Sequence, residues 1–164
     1  MYSLIAKMSY TDRHMQVKDI VKPAVVIHED DSFETALNAL VHNPTNTLLV
    51  TNDEGVLVGE VTVTDLLDAV VPDTLTGDQV IAHFTDDAAF IASIKVARDL
   101  PVADFMSFDY TALRLEDELL SIVGTAIAHQ RARIPVVDAE QRPVGIISRQ
   151  GLKKILHKFL QEAS

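Results

Sequence analysis

The chain has 164 residues, of which 48% are hydrophobic and 23% charged, with no cysteine and a net charge of −10 at pH 7. Disulfides, thiolate metal sites and thiol catalysis are excluded, and general binding to nucleic acid or an anionic membrane is disfavoured, because phosphate surfaces demand a basic face. No apolar run approaches the roughly 18 residues a membrane span needs, and Met1-Tyr2-Ser3-Leu4-Ile5-Ala6-Lys7 lacks a signal peptide's long apolar centre, so a cytoplasmic globular chain of one domain or two small ones is expected.

Leu4, Ile5 and Met8 are spaced for a short N-terminal helical extension within residues 1–15. Gln16 to Val21 reads as a helical turn ended by Pro23, since the residue before a proline is pushed out of the α region, and Ala24-Val25-Val26-Ile27 then runs extended. Asp31-Ser32 offers an N-cap to an amphipathic helix carrying Phe33, Ala36, Leu37 and Leu40 and reaching about His42, before the Asn43-Pro44 breaker. Thr47 to Thr51 is a short buried strand. The turn residues Asn52-Asp53-Glu54-Gly55 lead through Val56-Leu57-Val58 into Gly59-Glu60-Val61-Thr62, after which Asp65 to Val71 is helical and Pro72 stops it.

Residues 73–100 mix polar positions with Val80, Ile81, Phe84, Phe90, Ile91 and Ile94, which suits a helical connector better than a disordered linker. Then the order repeats. Val102-Ala103-Asp104-Phe105-Met106 echoes Val17-Lys18-Asp19-Ile20-Val21, a strand near Tyr110 to Leu113 echoes Ala24 to Ile27, and a helix from Glu116 to Ala128 echoes the one from Asp31. Ile134-Pro135-Val136-Val137-Asp138 echoes Leu48 to Asn52, and Val144-Gly145-Ile146-Ile147-Ser148 echoes Val58 to Thr62. A final amphipathic helix carries Leu152, Ile155, Leu156, Phe159 and Leu160. A unit of this size buries only about 60% of its unfolded surface and is marginal alone, so the two are expected to pack together around a pseudo-twofold axis, with ligand grooves at the seam.

Both copies place a hydroxyl, Thr62 or Ser148, where a strand passes into a helix, so that its side chain and the free N–H groups of the helix start face one spot suited to an anion. Three residues on, the first copy has Asp65 and the second has Gly151. An ionised carboxylate is acceptor-only and can receive both donors of a vicinal diol, so Asp65 is a candidate sugar-gripping group. It is equally an ordinary helix-stabilising residue, since negative charge is favoured at a helix start.

The doubled Val-x-Asp opening, the Ile134-Pro135-Val136-Val137-Asp138 strand, and the Gly-x-x-Thr/Ser endings at Gly59 to Thr62 and Gly145 to Ser148 resemble the tandem cystathionine-β-synthase (CBS) domain pair, or Bateman module. The resemblance covers about residues 16 to 160 and implies an α/β (α+β) fold of two β-α-β-β-α repeats. On that reading, 16–72 and 101–160 are the repeats, 73–100 connects them and 161–164 is a tail. It further implies a regulatory, non-catalytic module whose cleft binds an adenosyl ligand such as AMP, ADP, ATP or S-adenosylmethionine, with no cofactor required. Thr62 would face phosphate with Thr64 beside it, and Asp65 would take the ribose hydroxyls. Tyr110 and Thr111 would lie near the adenine, and Arg131, Ala132 and Arg133 along the cleft, the two arginines sharing one strand face.

Gly151 for Asp, and Leu49 where the second copy has Pro135, depart from the pattern, so one competent and one degenerate cleft are expected. A homodimer and an unidentified regulated protein are the implied partners. The rival reading is a ligand-free dimerisation or interaction module with vestigial clefts. The six histidines form no i, i+4 helical pair, so no metal site is expected, and no phosphate loop, nucleophile elbow or acid–base pair suggests an enzyme.

Overall fold

The computed structural model describes residues 15–71, 75–84, 86–129 and 133–164; the anticipated N-terminal helix lies outside them. The chain forms a mixed α/β fold of two compact units, one made of Ala24–Tyr110, the other of the stretch ending at Pro23 together with Thr111–Ser164. Each has its own apolar core, the first around Ile27, Leu48, Val50 and Val61, the second around Val17, Ile122, Ile134 and Ile147. No helix among the described residues is long and apolar enough to cross a membrane.

In the first unit, β1 (Val25–His28) pairs parallel with β2 (Thr47–Thr51), which pairs antiparallel with β3 (Leu57–Thr62). The crossover between β1 and β2 is α1 (Phe33–His42), started where the Ser32 hydroxyl accepts the Thr35 N–H at 3.1 Å. The β2–β3 turn closes on Asn52, whose side-chain oxygen accepts the N–H groups of Glu54 and Val56, and Gly55 takes the positive φ of 75° that the turn requires. Next come α2 (Val63–Val70), α3 (Gly77–His83) and α4 (Asp87–Ala97).

The second unit holds α5 (Leu119–Ala128), the antiparallel pair β4 (Ile134–Val137) and β5 (Pro143–Ile147), and α6 (Arg149–Glu162). The strand expected near Tyr110 to Leu113 is reduced to one parallel bridge, Leu113 to Val136. Val25-Val26-Ile27 is a β-branched run, whereas Thr111-Ala112-Leu113 has one β-branched residue, and its hydroxyl turns to His129 instead. Two helix starts also move: α2 begins at Val63 rather than Asp65 and α5 at Leu119 rather than Glu116; α6 begins at Arg149, directly after Ser148 as expected.

The compact units cut across the sequence repeats, because each repeat's opening segment folds onto the other repeat. Val102 donates its N–H to Asp31 O at 2.8 Å and Ala103 to Glu29 O at 2.9 Å, while Val17 donates to Asp117 O at 2.9 Å and Lys18 to Leu115 O at 3.1 Å. Phe105 stacks edge-on against Phe33 with ring centroids 5.7 Å apart. The opening segments then cross the glycine-bearing strands: Glu60 and Ser107 exchange both backbone bonds, at 3.0 and 2.8 Å, and Lys22 and Ile146 do the same at 2.9 and 2.8 Å.

This crossing explains Gly59 and Gly145. A Cβ on Gly145 would stand 2.5 Å from both Lys22 O and Val21 Cγ2, whereas on Gly59 its nearest neighbour would be the flexible Met106 sulfur at 2.7 Å. Gly145→Ala is therefore expected to destabilise the fold by about 1–3 kcal/mol in urea unfolding. Gly59→Ala should cost less, because Met106 can swing where a carbonyl cannot. Equal losses, or none at Gly145, would contradict the crossing.

Candidate functional site

The first strand-to-helix corner is fixed by its own polar groups. Asp65, in the first turn of α2, receives the Thr62 N–H at 2.7 Å and the Thr62 hydroxyl at 3.0 Å, both on Oδ2. The carboxylate thus accepts the backbone donor of the N-cap residue, sits favourably at the positive end of the helix, and is held in one orientation. The bonds recorded among the described residues engage only one of its two oxygens, so Oδ1 is the atom with acceptor capacity to offer. Thr64 is exposed on the same turn.

The second corner repeats the scaffold without the acid. Ser148 Oγ accepts the Gly151 N–H at 3.2 Å and caps α6, and no side chain stands where Asp65 does in the first copy. Arg133 directly precedes β4, so the register of Ile134 with Ile147 sets it level with Ser148. Burial, and then the charge of neighbouring Arg149, lower its guanidinium pKa. Arg133 is therefore not part of a strand as anticipated, and Arg131 and Ala132 lie outside the described residues.

Of the aromatic and hydroxyl positions singled out in the sequence, Tyr110 belongs to the first unit and Thr111 to the second. The Tyr110 hydroxyl donates to Leu57 O at 2.9 Å, and Thr111 Oγ1 lies 3.0 Å from His129 Nε2. Glu60, only 2% exposed, neighbours Tyr110. Thr62, Thr64, Asp65 and Tyr110 therefore share one compact unit, while Thr111 and Arg133 share the other.

Beside Asp65 lies a cavity of about 560 Å³, within the first unit, walled by Asp65, Asp68, Asp104, His83, Phe105 and Met106 among others. Asp68, Asp104 and His83 were not legible as site residues. Asp104 comes from the second repeat's opening segment and reaches the cavity only through the exchange. The one signal was Asp68, three residues after Asp65 and so on the same helix face. A separate group, His28, Asp30 and Asp53, meets where β1 ends beside the β2–β3 turn. His28 Nδ1 accepts the Asp30 N–H at 3.1 Å and Nε2 lies 2.9 Å from Asp53 Oδ1, so both ring nitrogens are engaged in tying strand to turn.

Burial first, and the charge of Glu60 second, raise the Tyr110 phenol above its ordinary value of 10.0. A raised folded-state value means the neutral phenol stabilises the fold below about pH 10, and that contribution is lost as pH rises through the raised value. An ultraviolet titration should show a tyrosine ionising above the ordinary value, and Tyr110→Phe should remove that late step. Loss of an early step instead would mean the hydroxyl is solvated.

The CBS domain family model matches residues 17–72 and again 102–158. Among solved structures the chain is similar to the CBS domain of a CBS domain containing membrane protein from Sphaerobacter thermophilus, at 26% identity and a TM-score of 0.70, covering 87% of this chain and 88% of that one. It is similar to the CBS domain pair of protein MJ0100 in complex with 5′-methylthioadenosine and S-adenosyl-L-methionine, at 19% identity and a TM-score of 0.66, covering 88% and 98%. It is also similar to CBSX2, a CBS-pair protein of Arabidopsis thaliana, in complex with AMP, at 24% identity and a TM-score of 0.63, covering 91% and 98%. The last two likenesses establish a shared fold. Because the family match spans more than half of the chain and falls on the two copies read from the sequence, this protein belongs to the CBS-domain family as a tandem CBS pair.

Proposed function

We propose that the chain is a non-catalytic regulatory module that binds an adenosyl compound at the Thr62–Asp65 corner. One observation carries the reading: a carboxylate locked by its own helix cap, with its second oxygen outside the recorded bonds, stands on the wall of a cavity large enough for a nucleoside. Asp65 would receive the two ribose hydroxyls and Thr64 would supply a polar neighbour; Tyr110, bonded to Leu57 O at the far end of β3, is not among the residues walling this cavity. That CBS-pair structures hold AMP, or 5′-methylthioadenosine and S-adenosyl-L-methionine, supports the ligand class. The second corner, capped by Ser148 with Gly151 in the acid's place, would not grip a ribose. Regulation would follow from differential binding, since a ligand moves an equilibrium only by the difference in its affinity for the two states.

A second reading, a ligand-free dimerisation module, is favoured by one observation. α2 leaves Leu67 51% exposed beside an apolar groove of about 260 Å³ between α1, α2 and α4, and in the other unit its counterpart α6 leaves Leu156 and Leu160 each 68% exposed. A homodimer through these helix faces is compatible with both readings.

Calorimetric titration with AMP, ADP, ATP and S-adenosylmethionine, run beside Asp65→Asn, separates them. Asparagine keeps an acceptor for the Thr62 N–H but loses the charge, and a charge-assisted hydrogen bond is worth roughly 1.5–3 kcal/mol, so binding should weaken about ten- to a hundredfold while stability changes little. No heat with any ligand, together with a dimer whose size ignores them all, would favour the second reading.

A further inference from the structure

We infer that the Ser148 corner is a separate oxyanion site that takes a phosphoryl group by its charge, with no sugar held beside it. The two strand pairs share one register, so the corners compare position by position once Thr62 is set on Ser148. Arg149 then stands for Val63, Arg133 for Thr47, and Lys22, which bridges Ile146 as Ser107 bridges Glu60, for Ser107. The acids Glu60 and Asp65 are matched by Ile146 and Gly151. On the same backbone plan, a corner with two acids and no base has become one with three bases and no acid. The inference does not depend on the adenosyl reading, which concerns the other corner in the other compact unit.

The fold does not neutralise these cations. Arg98 meets Glu34 at 2.8 Å and Arg142 meets Asp138 at 3.5 Å, whereas among the described residues no carboxylate pairs with Arg133, Arg149 or Lys22. Arg133 is half-buried, and the charge it feels is that of Arg149; both effects push its guanidinium down, and no acid pushes it back. Holding two like charges side by side costs free energy that a shared anion would return. α6 adds donors of its own. The Ser148 hydroxyl takes the Gly151 N–H at 3.2 Å and Ser148 O takes that of Leu152, so the recorded bonds leave the N–H groups of Arg149 and Gln150 at the positive end of a 14-residue helix. A guanidinium donates to two phosphoryl oxygens at once, and the missing acid at Gly151 removes the one group that would repel them.

Calorimetric titration of the whole chain in chloride buffer with inorganic phosphate, pyrophosphate and ribose 5-phosphate tests the site. Pyrophosphate should bind more tightly than phosphate because it carries more charge, and both should weaken as salt rises. Arg149→Gln alters an exposed side chain, so its circular dichroism should match the parent, and it should weaken pyrophosphate about tenfold. Lys22→Gln, one register step from Ser148, should weaken it by less than about threefold. Asp65→Asn should leave pyrophosphate unchanged while weakening any adenosyl ligand, so the two readings fail separately. Pyrophosphate bound equally well by Arg149→Gln, or no heat from either inorganic anion at about 10 mM, overturns the site. Ribose 5-phosphate should bind no more tightly than phosphate; a tenfold gain would mean that a sugar is held and would overturn the selection for phosphoryl charge alone.

Discussion

Two pairs of backbone hydrogen bonds, Glu60 with Ser107 and Lys22 with Ile146, hold each repeat's opening segment against the other repeat's glycine strand. Everything described for the site depends on the first pair. It carries residues 102–110 onto β3, sets Phe105 against Phe33, and brings Asp104 and Met106 to the same cavity as Asp65 and Asp68. Its steric condition is the missing side chain at Gly59, as that of its twin is the missing side chain at Gly145. A backbone donor or acceptor buried without a partner costs about as much as a lost hydrogen bond, so a segment that pairs both ways is held firmly. Neither repeat, taken as a contiguous stretch of sequence, contains all the partners of its own core.

At the corner itself, one carboxylate caps α2 and, on the proposed reading, would also receive the ligand. Capping α2 engages Oδ2 and fixes the side chain, and a fixed acceptor binds a diol without first giving up rotamer freedom. The duplicate shows which part is structural. Ser148 caps α6 with no acid present, so the helix start needs a hydroxyl or a carboxylate but not both. What the first copy has in addition is negative charge, and the cavity beside Asp65 is also walled by Asp68 and Asp104.

Local order was legible from the residues wherever the local signal was strong. Thr47 to Thr51 reads as a strand and is one, Ser32 reads as an N-cap and is one, and the Asn52–Gly55 turn has its expected chemistry. The repeat was visible because both copies keep the same glycine and hydroxyl. The exchange was not, because apolar periodicity reports which face of an element is buried and not what buries it: Val17 and Val102 look alike in sequence, and each serves the other repeat's core. The strand expected near Tyr110 follows an analogy between copies, but Thr111 is the one β-branched residue there where the first copy has Val25, Val26 and Ile27. α2 was started late because Val63-Thr64 has strand character, whereas the Thr62–Asp65 cap, a tertiary-independent signal three residues apart, decides the boundary. Of the candidate site, Thr62 and Asp65 are named in the sequence from their place in the doubled motif and from the CBS-pair pattern; Asp104 lies far along the chain and only the crossing makes it a neighbour.

The most direct measurement is a backbone amide NMR titration of the whole chain with S-adenosylmethionine. The account predicts that perturbed amides cluster at Thr62, Asp65 and Asp68 on α2 and at Asp104 to Met106 on the crossing segment, with Ser148 to Gly151 unmoved. Perturbations centred on Ser148 to Gly151, or none anywhere at saturating ligand, would contradict it.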